Sequence, residues 1–343
     1  MLISEFDYDL PAELIAQNPL EKRADSRLLA VNRRAKNFQD ERFYNFPRFL
    51  EKGDVVVLNN TKVFPARLFG TNETGARIEI FLVRAIENQT WETLARPARR
   101  LKIGGKITFG EKLSAQVTGK TDEGRIIVRF ETGENFEEVL ESIGQTPLPP
   151  YIRRSDEVSG ADKNRYQTVF AKQRGAIAAP TAGLHFTTEI LDEIKNLGAT
   201  VAEITLHVGY GTFEPVRVSD LSGHRVTPES CEISGVTAQI LNEAKSENRR
   251  IIAVGTTTTR ALESSIDENG RIVSGNRLAD LTITPGYEFK AINGLLTNFH
   301  LPQSSLLVLV STFAGYDLTM RAYRRAVESS YRFYSYGDCM LII

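Results

Sequence analysis

The chain has 343 residues, 41% of them hydrophobic and 25% charged, an ordinary globular composition with room for about two domains of roughly 150 residues each. Its 42 Lys and Arg nearly balance 43 Asp and Glu, and a net charge of -1 excludes a global field that would draw the chain to nucleic acid or anionic lipid, so any polyanion must meet a local patch. Cys231 and Cys339 form neither a C-x-x-C pair nor a zinc spacing, which excludes a disulfide framework and fits a reducing compartment.

At the N-terminus, Glu5, Asp7 and Asp9 stand where a secretory signal needs basic residues and an unbroken apolar core. The most apolar run, LLVLV at 306–310, falls far short of the ~20 residues of a membrane span, so a soluble cytoplasmic protein without a membrane partner is expected. In DLPAELIAQ (9–17) an Asp cap, Pro11 in the first turn and helical apolar spacing predict a short helix. VVVLNN (55–60) is a buried-strand run that ends on two amides.

From about 76 to 130 the segments ARIEIFLVRAI, TWETLAR, KITFG, LSAQVTG and RIIVRFE are short, β-rich and divided by turn residues. TPLPPYIRR (146–154) follows as an extended, semi-rigid strap. Beyond 165, strands and helices alternate: GAIAAP, the helix TTEILDEIKNLG, TVAEITLHV, then RRIIAVG and TTTTRALESS. The fold expected is α/β: a layered main domain built from both chain ends (1–69 and 147–343), with an all-β, barrel-like domain inserted at 70–146.

Four stretches carry candidate chemistry, whereas GTNETGAR (70–77) and GYGTFE (209–214) lack the residues that complete a phosphate loop or a dinucleotide fingerprint. In AAPTAGLHF, Pro180 ends strand bonding and Gly183 permits close approach, so Thr181 and His185 would sit at the carboxyl end of a strand, where α/β sheets bind ligands; the plainer reading is a turn-capping histidine. LHVGYGTFEPV repeats the pattern, with His207 before Gly209, Tyr210, Gly211, Thr212, Phe213 and Glu214; a glycine hairpin with core aromatics is the plainer alternative. VGTTTTRALES opens a helix with Thr256, Thr257, Thr258 and Thr259, an anion site if its amides are free, and Arg260 opposes the helix dipole at a cost of about 0.3–1 kcal/mol unless an anion is near; simple threonine capping explains it equally well. LLTNFHLPQSSLLVLVSTFAG sets Asn298, Phe299 and His300 ahead of a buried helix that opens near Pro302 and stops at Gly315. Basic clusters lie at Arg96, Arg99, Arg100, Lys102 and Lys106, and at Arg153, Arg154, Lys163 and Arg165; a solvated face is their commoner explanation.

Those stretches, together with NNTKVFPARLFG, PLPPYIRR and YRFYSYGDCMLI, resemble the S-adenosylmethionine:tRNA ribosyltransferase-isomerase family from FDYDLPAELIA to the C-terminus. The resemblance implies an α/β domain carrying an inserted β-barrel. It also implies transfer of the ribosyl part of S-adenosylmethionine to the aminomethyl group of a 7-deazaguanine at the tRNA wobble position, with rearrangement to an epoxycyclopentanediol and release of adenine and methionine. S-adenosylmethionine would be a consumed substrate, with no metal or redox cofactor, and a monomer is expected. His185, His207 and His300 form the pool for acid and base. The threonine turn with Arg260 would hold the methionyl carboxylate or a tRNA phosphate, Tyr210 and Phe213 would stack on a base, and Arg99, Arg100, Arg153 and Arg154 would track the tRNA backbone.

Two positions depart from the family pattern: Thr227 replaces a second histidine three residues after His224, leaving His224 and Glu229, and Cys339 replaces a small residue. Rival expectations are another S-adenosylmethionine-dependent enzyme, such as a methyltransferase, and a non-catalytic RNA-binding protein.

Overall fold

The computed structural model describes residues 1–87, 89–154, 160–213 and 216–343. Strand β1 (Arg27–Asn32) turns back into β2 (Asn37–Arg42), and β3 (Val55–Asn59) leads into the short β4 (Thr61–Val63). A six-stranded closed barrel follows: β5 (Arg67–Asn72), β6 (Arg77–Glu87), β7 (Thr90–Arg96), β8 (Lys106–Phe109), β9 (Leu113–Lys120) and β10 (Ile126–Glu131). Its strands alternate inward apolar and outward polar residues, as in Lys106–Phe109, where Ile107 and Phe109 are buried and Lys106 and Thr108 are exposed.

Helix α1 (Phe136–Ile143), capped by the Asn135 side chain, adds Val139 and Leu140 to the barrel core. The insert enters and leaves through one neck, because Arg67 and Gln145 exchange both backbone hydrogen bonds (2.8 and 3.2 Å).

After α2 (Gly160–Arg165) come β11 (Gln173–Ala176), α3 (Thr188–Asn196), β12 (Thr200–Leu206), β13 (Glu229–Ile233), α4 (Gly235–Ser246), β14 (Ile251–Val254), α5 (Thr256–Glu263), β15 (Gly275–Ala279), β16 (Gly294–Asn298), α6 (Ser305–Ala314), α7 (Tyr316–Glu328) and β17 (Cys339–Ile342). Among the described residues the main sheet has nine strands in the order β15-β13-β12-β3-β14-β16-β17-β1-β2. Its centre, β12-β3-β14-β16, is parallel, and β17 joins it antiparallel to β16 and parallel to β1.

The all-buried β3 explains why Val55–Asn59 reads as a continuous apolar run: both faces of the sheet are covered. Val55 and Val57 point into a core shared with α4 to α7, whereas Val56 and Leu58 meet α3 and the turn bearing Phe43 and Phe46. The fold class is therefore the one expected, layered α/β with an inserted barrel.

Local readings differ in two places, and the helix expected near Pro302 is present. DLPAELIAQ forms only a single 3-10 turn, Ala12–Leu14, because the chain beyond it is captured in extended form: Phe333 N donates to Leu14 O and Ala16 N to Phe333 O. GAIAAP contributes only its first residues to a strand, and that strand, β11, pairs with β4 rather than entering the main sheet. Helix α6 opens after Pro302, with Ser304 as its cap accepting from Leu307 N. Among the described residues no helix is long and apolar enough to cross a membrane.

Candidate active site

The carboxyl ends of the central parallel strands open onto one cleft of about 560 Å³, counted with its open mouth. Beyond β12 it is lined by Val208, beyond β14 by Gly255, Thr256 and Thr257, and at the end of β16 by Thr297, Asn298 and His300. Gly255, at φ +94°, makes the turn from β14 into α5, a conformation that favours glycine. The first turn of α5 therefore brings its free amides and the Thr256 and Thr257 side chains to the cleft, at the positive end of the helix dipole. Thr258 and Thr259 instead bond back to Val254 O (2.7 Å) and Gly255 O (3.1 Å) inside the helix.

His300 is fixed from three sides. Its Nε2 meets Thr297 Oγ1 at 2.9 Å, its backbone N–H donates to the Tyr323 hydroxyl at 3.1 Å, and its carbonyl accepts from the Tyr8 hydroxyl. Nδ1 has no protein partner among the described residues and is the nitrogen left for a ligand. Burial pushes the imidazole down from 6.5 to about 3, so it stands neutral.

His185 lies one layer behind. Its Nε2 accepts from Asn298 Nδ2 (3.2 Å), which leaves the ring proton on Nδ1, facing Ser26 Oγ at 2.8 Å. Burial first, then Arg23 and Arg332, push it down to about 3. With both nitrogens engaged, His185 orients Asn298, whose Oδ1 accepts from the cleft-lining Thr181 at 3.0 Å.

His207 does not line the cleft. The extended chain alternates sides, and since Val208 faces the cleft, His207 points away, onto Gly175 and Thr61 Oγ1 (2.8 Å). Tyr210 packs edge-on against Phe81 of the barrel (5.8 Å), and Phe299 is core, packed among Tyr323, Tyr331 and Phe333. Gly183 admits Phe170, whose ring would lie 2.7 Å from any added Cβ. Glu214 lies outside the described residues, as does the side chain of Phe213.

Arg260 meets its anion within the chain. Its Nη1 bonds Glu229 Oε2 at 2.7 Å, its other nitrogens bond the carbonyls of Thr227, Ala279 and Leu281, and both charged groups are buried. Glu229 also accepts from Gly209 N (2.8 Å) and Thr212 Oγ1 (3.5 Å), so the pair clamps the Gly209–Thr212 turn onto α5. Desolvation raises the Glu229 carboxyl, with Arg260 opposing it. Beside the pair a second hollow, about 450 Å³ counted with its open mouth, is lined by Gly211, His224 and Thr227, and shares Thr212 and Leu306 with the cleft.

The opposite wall is made of tyrosines that the motif reading missed: Tyr151, Tyr166 and Tyr334. Tyr151 meets Tyr334 edge-on at 3.8 Å and pairs its hydroxyl with Ser335. Tyr334 holds φ +74°, a left-handed conformation costing a non-glycine residue on the order of 1–3 kcal/mol. It is locked there by its N–H on Phe299 O, by Gly337 N on its carbonyl, and by Asn298 Nδ2 on the same carbonyl at 3.1 Å. The repeated tyrosines of YRFYSYG were the available signal.

Of the basic residues, Arg99 and Arg100 are exposed on a one-turn helix of the barrel and Arg153 is exposed beside Tyr151. Arg154 is committed to the buried Asp162 through two hydrogen bonds (2.9 and 3.0 Å).

A family model described as "Queuosine biosynthesis protein" matches residues 3–342. The chain belongs to this queuosine biosynthesis family. Proteins named S-adenosylmethionine:tRNA ribosyltransferase-isomerase from Desulforamulus reducens and Halothermothrix orenii are 48% and 49% identical to it, each over all of both chains. The crystal structure of S-adenosylmethionine tRNA ribosyltransferase from Thermotoga maritima is 36% identical, covers 99% of this chain and 100% of its own, and superposes with a TM-score of 0.57. Thr227 and His224 line the hollow beside Arg260, and Cys339 is wholly buried in β17.

Proposed function

We propose that this chain transfers and isomerises the ribosyl moiety of S-adenosylmethionine onto the 7-aminomethyl-7-deazaguanine base at the tRNA wobble position, giving epoxyqueuosine-tRNA and releasing adenine and methionine. S-adenosylmethionine is spent in the reaction, with no further cofactor.

The observation that carries this reading is the placement of one neutral, unpartnered imidazole nitrogen, Nδ1 of His300, in a cleft between a helix N-terminus and a tyrosine wall. The sulfonium acidifies the adjacent 5′ carbon of the ribose, and a base held as free imidazole can take that proton. Burial, which lowers its pKa, keeps His300 unprotonated near neutral pH at some cost in proton affinity. Burial also keeps the Tyr151 and Tyr334 hydroxyls protonated, so the opposite wall offers faces for a base and donors for its edge. Thr256, Thr257 and the α5 amides suit an anionic part of either substrate.

The test incubates the protein with S-adenosylmethionine and precursor-bearing tRNA and measures adenine and methionine. Both are expected in equal amounts with the modified base, and His300→Asn is expected to lower kcat by about 10²–10⁴, far more than its fall in melting temperature accounts for. Formation of S-adenosylhomocysteine, or modified tRNA without adenine, refutes the reading.

A further inference from the structure

Behind the cleft, and sharing Ser335 with it as a wall, lies a separate shallow hollow, about 300 Å³ counted with its open mouth, lined by Arg23, Arg165, Ser26, His185 and the Tyr336–Gly337 turn. Its charge, among the described residues, is unbalanced. Among the described residues Arg23 and Arg165 bond backbone carbonyls and no carboxylate, and Arg332, close behind, has its Nη1 buried without a partner. Two carboxylates nearby among the described residues are engaged: Asp338 caps the backbone N–H groups of Arg27 and Arg332 (both 2.8 Å), and Asp162 holds Arg154 and the Tyr336 hydroxyl.

The guanidiniums are steered by backbone carbonyls instead. Arg23 gives Nη1 to Leu184 O (3.2 Å) and Nη2 to Asn164 O (2.8 Å), while Arg165 bonds Leu20 O and Glu21 O. These contacts fix both groups and leave both Nε–H donors without a protein acceptor among the described residues. Burial, then the charge of Arg165, lowers Arg23 to about 10, as expected of like charges crowded without a counterion.

Pre-organised, partly desolvated guanidiniums with spare donors suit an oxyanion with several acceptor oxygens. The hollow is one side-chain layer from the cleft, since His185 lines it and bonds Asn298, which lines the cleft. A nucleotide whose base enters the cleft carries its phosphate one sugar away. We propose that Arg23 and Arg165 form an oxyanion site that takes a backbone phosphate of the RNA whose base occupies the cleft. This rests on the tRNA-modifying reading above.

The experiment measures binding of the precursor tRNA over a range of KCl concentrations for the wild type, Arg165→Gln and Arg165→Lys. Loss of one phosphate contact is expected to make the slope of log Kd against log[KCl] shallower by about 0.7 in Arg165→Gln, with recovery in Arg165→Lys. A folded Arg165→Gln variant with the wild-type slope overturns the proposal, and Arg23→Gln serves if Arg165→Gln does not fold. A raised KM for S-adenosylmethionine with an unchanged slope assigns the site to the methionyl carboxylate and overturns it as well. On wild-type protein, inorganic phosphate followed by ³¹P line broadening is expected to be displaced by tRNA; phosphate that stays bound marks a site for free oxyanion and refutes the backbone assignment. Wild-type protein that neither binds tRNA nor releases adenine refutes the functional reading, whereas an active wild type with insensitive variants refutes this site alone.

Discussion

Acid sensitivity follows from the two buried imidazoles. His185 and His300 move from the ordinary 6.5 to about 3 on folding, both chiefly through burial. The unfolded chain therefore binds protons that the folded chain rejects, and stability is complete above pH 6.5 and falls as pH drops from 6.5 toward 3. At about pH 5 each histidine removes ~2 kcal/mol, since each unit below the unfolded value costs about 1.4 kcal/mol, so the pair removes ~4 kcal/mol. The assay is urea unfolding at about pH 7 and about pH 5, followed by far-UV circular dichroism, because α3 to α7 pack on the main sheet whereas the single tryptophan, Trp91, sits in the barrel. His185→Gln and His300→Asn should each abolish a large part of the pH dependence, with a remainder of the same sign left by His207 and His224, whose imidazoles burial also lowers. A variant as acid-sensitive as the wild type would mean that these rings are not what the acid acts on, and the assignment of neutral buried imidazoles would fall.

Glu229→Gln strips the buried Arg260 of its counter-charge and should destabilise the protein by about 3–5 kcal/mol, read as a lowered denaturant midpoint; Glu229→Asp should lose less. Gly337→Ala places a Cβ against the backbone carbonyl of Arg332, so the turn that locks Tyr334 must open; a loss of adenine release larger than the fall in melting temperature is expected, and unchanged kinetics would remove Tyr334 from the site. Cys231 and Cys339 are buried and their thiols are pushed up by desolvation, so a thiol reagent should label neither until denaturant is added.

The layered sheet and the barrel were legible because their signals are local: a continuous apolar run for β3, strict alternation for β8, and threonines after a glycine for α5. The site was legible only in part. Thr181, Thr212, Thr256, Thr257, Asn298 and His300 do share one cleft. What failed to show was orientation. His207 and Val208 are neighbours, yet alternation sends one outward and the other into the cleft, and nothing local says which.

Partnership across distance was equally hidden: Arg260 finds Glu229 through the pairing of β13 with β12 and β15, and the helical promise of DLPAELIAQ yields to a bond with Phe333. The tyrosine wall escaped because its members come from Tyr151, Tyr166 and Tyr334, three segments that only the folded chain brings together.

The register that sets Leu28 beside Cys339 bears on how the protein is made. During vectorial synthesis the barrel, closed at its Arg67–Gln145 neck, can condense while later segments are still inside the ribosome. The hairpin β1-β2 emerges earlier still but has no neighbour to join until β17 arrives, so its open edge must wait for almost the whole chain. Nascent chains halted before Cys339 should thus hold a finished barrel beside an unsealed sheet, and that interval is where a chaperone has something to cover.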